Sequence, residues 1–277
     1  MQWSLRAAVR PLLLQSACTP CHTSRVALPL VARAFSKSSG NQLQQHGLGI
    51  LEIREYTLHP AGSKQFMKLA AEHAMLRSQL LPFLGMFTCD TGGDLNTVTH
   101  FYHYEDLEQR EAVRAAAAKN VQWQAFIDAS RPHVAKQQSR IMVESAAVYD
   151  ALGKPGAASF RSPAQTLPNT PVYEMRQYQL HPGYGSVPKL LAAFADGLPE
   201  KVAADKDGLL VAFAHSDVGV LNQVVELWRY PSAAACIRAR VSARAVQKWR
   251  DTIAAVTPGV QQFQTSLLSP TAFSPWR

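Results

Sequence analysis

The chain carries one motif twice. Glu52-Ile53-Arg54-Glu55-Tyr56-Thr57-Leu58-His59-Pro60 returns 122 residues later as Glu174-Met175-Arg176-Gln177-Tyr178-Gln179-Leu180-His181-Pro182. Leu95-Asn96-Thr97-Val98 returns 126 residues later as Leu221-Asn222-Gln223-Val224. At the same spacing Tyr104 meets Tyr230, Trp123 meets Trp249, Ile127 meets Ile253 and Pro132 meets Pro258. The spacing changes by four residues inside the first helical region and is constant afterwards. Self-similarity over about 95 residues implies a duplicated domain, because the unit is too long for a solenoid repeat and two copies are too few for an array.

A length of 277 residues fits two domains, and 47% hydrophobic residues suffice for a core. The net charge of +8 is unevenly spread. No Asp or Glu occurs before Glu52, while Arg6, Arg10, Arg25, Arg33 and Lys37 do. Of 28 basic residues these five lie in the leading stretch, leaving 23 against 20 acidic. A basic nucleic-acid surface is therefore not expected. An acid-free, Arg-bearing segment reads as a mitochondrial transit peptide over residues 1–49, with processing near Arg33-Ala34-Phe35-Ser36. No apolar run reaches the ~18 residues of a membrane-spanning helix. Cys18-Thr19-Pro20-Cys21 has no second pair and falls in this leader, which argues against a zinc or redox site. Cys89 and Cys236 read as small core residues rather than a disulfide.

Each copy reads as strand, helix, strand, strand, helix, strand. In the first, Leu51–Leu58 alternates as a strand, a helix runs from Ser63 to about Leu80, and Pro82 stops it. Strands follow over Phe83–Asp90 and Leu95–Tyr104, joined by Thr91-Gly92-Gly93-Asp94. A second helix runs from about Leu107 to Ala129, and Ser139–Ser145 closes the unit. In the second copy Ile237, Val241, Ala245, Trp249 and Ile253 form an apolar stripe at helical spacing. The domains are placed at 50–145 and 172–277, with an aperiodic linker over 146–171. A β-α-β-β-α-β unit is ferredoxin-like, with one bare sheet face. The fold class is therefore α+β: two tandem ferredoxin-like repeats covering each other as a pseudo-dimeric α/β barrel.

Alternation puts Glu52, Arg54, Tyr56 and Leu58 on one strand face and Glu174, Arg176, Tyr178 and Leu180 on its counterpart. His100, Tyr102 and Tyr104 share a face, answered by Glu226, Trp228 and Tyr230. If these faces line the space between the sheets, two readings compete. One is a buried, self-paired charge network that fixes the register of the halves. The other is an inter-sheet pocket in which His100 and Glu226 act on a small ligand. Each of Arg54 and Arg176 needs a carboxylate, with Glu52, Glu174 or Glu226 as acceptors. His100 and His103 are three apart on a strand and point to opposite faces, which excludes a metal site from that pair. No nucleophile elbow and no phosphate loop occurs, and neither a cofactor nor a metal is implied.

Leu95-Asn96-Thr97-Val98-Thr99-His100-Phe101-Tyr102-His103-Tyr104, followed by Arg110-Glu111-Ala112-Val113-Arg114, resembles the signature of the NipSnap family. So do Glu52-Ile53-Arg54, Tyr56, Leu58, Pro60, Leu76-Arg77 and the closing Ser269-Pro270-Thr271-Ala272-Phe273-Ser274-Pro275. The closing segment and Gly92-Gly93 are similar to the third-type (3A/3B) branch. The resemblance implies two ferredoxin-like domains in a mitochondrial protein, with roles as an adaptor in mitochondrial quality control (mitophagy) or vesicle traffic; the expected location is the matrix, with a cytosolic or outer-surface pool as the alternative. It carries over no catalytic residue. Relatives more often place a Trp near Phe101-Tyr102, which Trp228 keeps in the second copy. An autophagy-type partner would bind an exposed aromatic-x-x-aliphatic segment, and Tyr149-Asp150-Ala151-Leu152 in the linker fits that pattern. The leading expectation is thus a non-enzymatic interaction protein with protein partners, able to form homo-oligomers. The alternative is a small-molecule-binding or monooxygenase-like α/β-barrel enzyme using the inter-sheet pocket. A solvent-reaching cavity with His100 or Glu226 on its wall favours the second, and a filled interior the first.

Overall fold

A computed structural model of the chain describes residues 48–163 and 170–277. The transit-peptide reading of residues 1–49, its processing site and Cys18/Cys21 lie essentially outside them. The first copy forms β1 (Ile50–Leu58), α1 (Ser63–Glu72), α2 (Ala74–Leu80), β2 (Phe83–Thr91), β3 (Thr97–Tyr104), α3 (Leu107–Ala118), α4 (Val121–Ser130) and β4 (Val134–Glu144). After α5 (Ala146–Leu152) the second forms β5 (Val172–Leu180), α6 (Ser186–Ala204), β6 (Leu209–Val218), β7 (Gln223–Tyr230), α7 (Ala233–Ala245), α8 (Gln247–Val256) and β8 (Val260–Pro270).

The order of elements is the expected one, but three of the four helical regions are broken in two. α3 ends at Ala118, and Asn120 caps α4, its side chain accepting from the Trp123 amide at 2.9 Å, a standard N-cap bond. The second copy breaks at Val246, which leaves the helix at φ −77 and ψ 115. That break resets the helical phase, so the expected stripe does not hold through α7. Ile237 and Val241 are exposed, and the small residues Ala235, Cys236, Ala239 and Ala243 face the sheet instead. Trp249 on α8 and Trp123 on α4 are both buried.

All strand pairs are antiparallel. Within each repeat the order is that of a ferredoxin-like sheet, β4-β1-β3-β2 and β6-β7-β5-β8. The two sheets then join edge to edge, β2 to β8 and β4 to β6, giving a closed eight-stranded barrel. Closure removes the four open edges that two separate sheets would present.

The barrel interior is filled. Leu51, Ile53, Phe87, Phe101, Met142, Tyr173, Met175, Val225, Leu227 and Leu268 pack there, with Trp276 from the C-terminal segment against Phe101. Toward the other end Arg140 donates to Glu55 at 2.8 Å and to Gln177 at 2.9 Å, and also to Gln223. These four side chains come from β1, β4, β5 and β7, so an inter-repeat polar network exists. Its members are the neighbours, one residue along, of those the sequence pattern suggested. Glu52, Arg54 and Tyr56, with Glu174, Arg176 and Tyr178, lie on the outer face beneath their own helices. The inter-sheet pocket is therefore corrected: the polar face is covered by helices, because the more apolar Leu51/Ile53 and Tyr173/Met175 faces occupy the barrel axis.

The segment 146–171 is not an aperiodic linker at its start. Tyr149 of α5 is buried, donates its hydroxyl to Glu144 and accepts from the Phe213 amide at 2.9 Å. Glu144 also accepts from the Ala157 amide at 2.8 Å. Tyr149 thus cannot serve with half-buried Leu152 as an exposed partner motif.

Candidate functional site

Each repeat holds a cleft between the outer face of its sheet and its helices. The first, about 290 Å³, is lined by Arg54, Tyr56, Arg77, Tyr102, Arg114 and Trp123 among others. The second, about 380 Å³, is lined by Arg176, Tyr178, Lys201, Arg240, Arg244 and Trp249 among others. Arg54/Arg176, Tyr56/Tyr178, Arg114/Arg240 and Trp123/Trp249 are repeat equivalents, so the clefts are two copies of one site. The expected residues Glu52, Arg54, Tyr56, His100 and Tyr102 gather at the first, and Glu174, Arg176, Tyr178, Glu226 and Trp228 at the second. His100 and Glu226 do not meet, since each belongs to its own repeat.

At the wall of each cleft a buried carboxylate is held mainly from a helix. Glu52 accepts both a 2.8 Å and a 3.1 Å bond from Arg110, and 2.6 Å from Ser139, with Arg54 only at 3.8 Å. Glu174 accepts 2.6 Å and 3.2 Å bonds from Arg240 and 2.9 Å from Thr265, with Arg176 at 3.5 Å. Burial works to raise both carboxyls. The Arg110 and Ser139 bonds at Glu52, and the Arg176 and Arg240 charges at Glu174, outweigh it and hold both below the ordinary carboxylate range. Cys236 stands where the first repeat has Arg110, its thiol 3.6 Å from Glu174, and burial with that carboxylate pushes it up to about 12.

The floors differ more. In the first cleft Arg77 is buried, stacks over Phe83, Trp123 and Phe126 at 5.3–5.5 Å, and donates to His100 Nδ1 at 3.0 Å and to the Tyr102 hydroxyl at 2.7 Å. Arg is an obligate donor, so His100 Nδ1 accepts. Burial and the charges of Arg77 and Arg54 keep that imidazole neutral, well below its usual titration range. In the second cleft Lys201 takes the corresponding place, its Nζ 4.0 Å from the Trp228 ring and 4.9 Å from Trp249. Glu226 replaces His100 and is occupied by the Tyr178 hydroxyl and the Trp228 indole N–H. Both His100 and Glu226 are fully buried behind their cleft walls.

The NIPSNAP family model matches residues 51–147 and 173–275, one match on each repeat. The chain belongs to the NIPSNAP family. It is 30% identical to Protein NipSnap homolog 3A of Pongo abelii over 95% of this chain and 99% of that protein. Protein NipSnap homolog 3B of Mus musculus is 27% identical over the same shares. Among solved structures, a protein from Fusobacterium nucleatum described as a monooxygenase aligns with TM-score 0.58 at 10% identity, covering 81% of this chain and 93% of its own. One from Lactobacillus acidophilus, described likewise, gives 0.55 at 9%, covering 80% and 94%. At such identities the likeness is one of fold, and it agrees with two ferredoxin-like repeats closed into a barrel.

Sequence reasoning assigned none of Arg77, Arg110, Arg114, Lys201 and Arg240 to the site in this NIPSNAP chain, although Arg77, Arg110 and Arg114 stand in the segments that carry the family resemblance. Arg114 and Arg240 share the constant repeat spacing of 126, so a repeat-to-repeat comparison of the helices holds the signal for them. Arg77 and Lys201 are separated by 124 and fall where the spacing changes, which hides them. Among the described residues no group of three or more His, Cys, Asp or Glu is placed to hold a metal, and no helix is long and apolar enough to cross a membrane.

Proposed function

We propose that the chain works in mitochondria as a non-catalytic NipSnap-type recognition protein, binding protein partners of the quality-control or traffic class, rather than as an inter-sheet enzyme. One observation carries this reading: His100 and Glu226, the acid–base groups of the enzyme reading, are sealed, while cationic and aromatic side chains line the clefts. His100 and Glu226 are fully buried and bonded, whereas guanidinium groups, aromatic rings and the Lys201 ammonium line the clefts. An Arg side chain stays charged at any physiological pH, so it orients and binds but does not exchange protons. The acid-free leader supports mitochondrial import. Because Tyr149 is inaccessible, a partner protein has to dock on another surface. Proximity labelling by the full chain in living cells, paired with intact-mass measurement of the purified endogenous protein, tests the reading. Labelled matrix proteins and a mature species starting near residue 36 are the expected result. A species retaining Met1 or Gln2 that labels only cytosolic proteins sinks it.

A further inference from the structure

We infer that the second-repeat cleft is a binding site for a small organic anion with a flat apolar body, an aromatic carboxylate of about two rings. This rests on the recognition reading and adds the ligand class. The observation behind it is Lys201. Its side chain is nine-tenths buried and lines the cleft. Among the described residues it makes no hydrogen bond or ion pair, only the two contacts to Trp228 and Trp249. A buried ammonium without an anion is costly and is normally paired. The equivalent Arg77 of the first repeat has His100 and Tyr102 as acceptors. In the second repeat those positions are Glu226, whose oxygens accept from Tyr178 and Trp228 and make no bond to Lys201, and Trp228 itself, which only donates. The floor cation is therefore without a hydrogen-bonded acceptor in one cleft alone.

Charge points the same way. Arg176 and Arg240 are committed to Glu174. Lys201 and exposed Arg244 remain, both lining the cleft and both without a carboxylate partner among the described residues. Two cations, one at the floor and one at the rim, suit an anionic group. The remaining wall suits a flat apolar body: Trp249 and Ile253 on one side, Phe263 edge-on to Tyr178 at 4.9 Å on another, and the small side chains of Ala239 and Ala243 leaving the space open. The cavity of about 380 Å³ lies at the small end of ligand pockets, which run from roughly 300 to 1,000 Å³.

The test is titration of the full chain with 1-naphthoate, followed by tryptophan fluorescence and calorimetry. Its neutral isostere 1-naphthylmethanol and inorganic phosphate serve as comparison probes. Saturable naphthoate binding is expected, at least about tenfold tighter than the alcohol or phosphate, equal to ~1.4 kcal/mol. Lys201→Met is expected to lose about that factor, Lys201→Arg to recover most of it, and Ala243→Leu to block the site by filling it. Lys64→Met, exposed on α1 and outside both clefts, leaves binding unchanged. If Lys201→Met does not fold, Arg244→Gln at the solvent-exposed rim still reports, with an expected loss of about threefold. Equal binding of the alcohol overturns the anion. Equal or tighter binding of phosphate overturns the apolar body. Unchanged binding by both Lys201→Met and Arg244→Gln overturns the site, and no saturable binding to about 10 mM overturns the inference altogether. Such a failure leaves the proximity-labelling result untouched, so the two readings fail separately.

Discussion

At the scale of single residues, the outer sheet face sets two opposing terms. Lys201 costs stability. Burial, with Arg176 adding to it, lowers its ammonium to about 8 from 10.5. At ~1.36 kcal/mol per unit that is on the order of 3 kcal/mol carried by the free protein near neutral pH. The sign follows from linkage. Between about pH 8 and 10.5 the unfolded chain binds more protons at this group than the folded one, so the penalty is full below 8 and gone above 10.5. Lys201→Met should therefore stabilise the chain by about 1–3 kcal/mol in urea denaturation at pH 7, with the gain shrinking at pH 10. A gain that stays constant with pH removes the buried ammonium from the account. Glu174 is the opposite case, buried and satisfied. Arg240→Leu strands it and should cost about 3 kcal/mol, while adding Glu174→Leu should restore most of that. A double-mutant cycle without coupling between the two contradicts the pairing. The same carboxyls, held below their ordinary range, contribute stability above about pH 4.5 that is lost as pH falls through their lowered values. The sequence pattern made this face legible as a set, because period-two alternation groups Glu52 with Arg54 and Tyr56. It did not say which way the set points. Both faces of β1 are largely buried, and alternation alone cannot tell a barrel axis from a helix-covered exterior.

At the scale of elements, the helices hold their distance from the sheet through small residues and aromatic plugs. Gly197 on α6 marks the closest approach: a Cβ added there would stand 2.8 Å from the Thr252 Cβ and 2.0 Å from its hydroxyl on α8. Gly197→Ala should thus cost about 1–3 kcal/mol despite Ala's better helix propensity, and Thr252→Ala should recover part of it. A thermal melt in which Gly197→Ala is neutral or stabilising shows that α6 and α8 can separate freely. Trp249 is the plug of the second repeat, packed on Phe194 at 5.2 Å between ring centres. Trp249→Ala should cost about 3–5 kcal/mol, and a shift of only a degree or two in melting temperature contradicts that burial. The element order was readable because the duplicated motif fixes where each unit starts. The breaks were not. A helix that stops at Ala118 and restarts at Val121 leaves too short a gap to show in the apolar pattern, so only the cap chemistry at Asn120 marks the boundary. In α7 the stripe through Ile237 and Val241 fails because the turn at Val246 rotates α8 relative to α7. α5 falls in the expected linker because its seven residues, Ala146–Leu152, span too few turns to show a helical period.

At the scale of the whole molecule, the duplication is what closes the barrel, and this makes each repeat dependent on the other. Two of the eight strand junctions, β2–β8 and β4–β6, join the repeats. The network at Arg140 spans them, with Glu55 and Arg140 from the first and Gln177 and Gln223 from the second. The aromatic packing also crosses, as Phe87 meets Tyr173 at 4.7 Å and Phe101 meets Trp276 at 5.6 Å between ring centres. Cutting the chain in the segment between α5 and β5 would leave each half with two bare strand edges and one apolar sheet face. Such a surface drives association. Residues 172–277 expressed alone are therefore expected to self-associate, with a second copy supplying the missing sheet and residues 48–163 displacing that copy when co-expressed. Mixing should yield a one-to-one complex in size-exclusion chromatography with light scattering. Arg140→Leu in the 48–163 half should weaken the complex by roughly tenfold or more, since it strands Glu55 in the barrel interior. A 172–277 fragment that is folded and monomeric at about 10 µM, well above the dissociation constant of a standard protein interface, would show that the sheet faces do not need each other and that closure is a consequence of tethering alone.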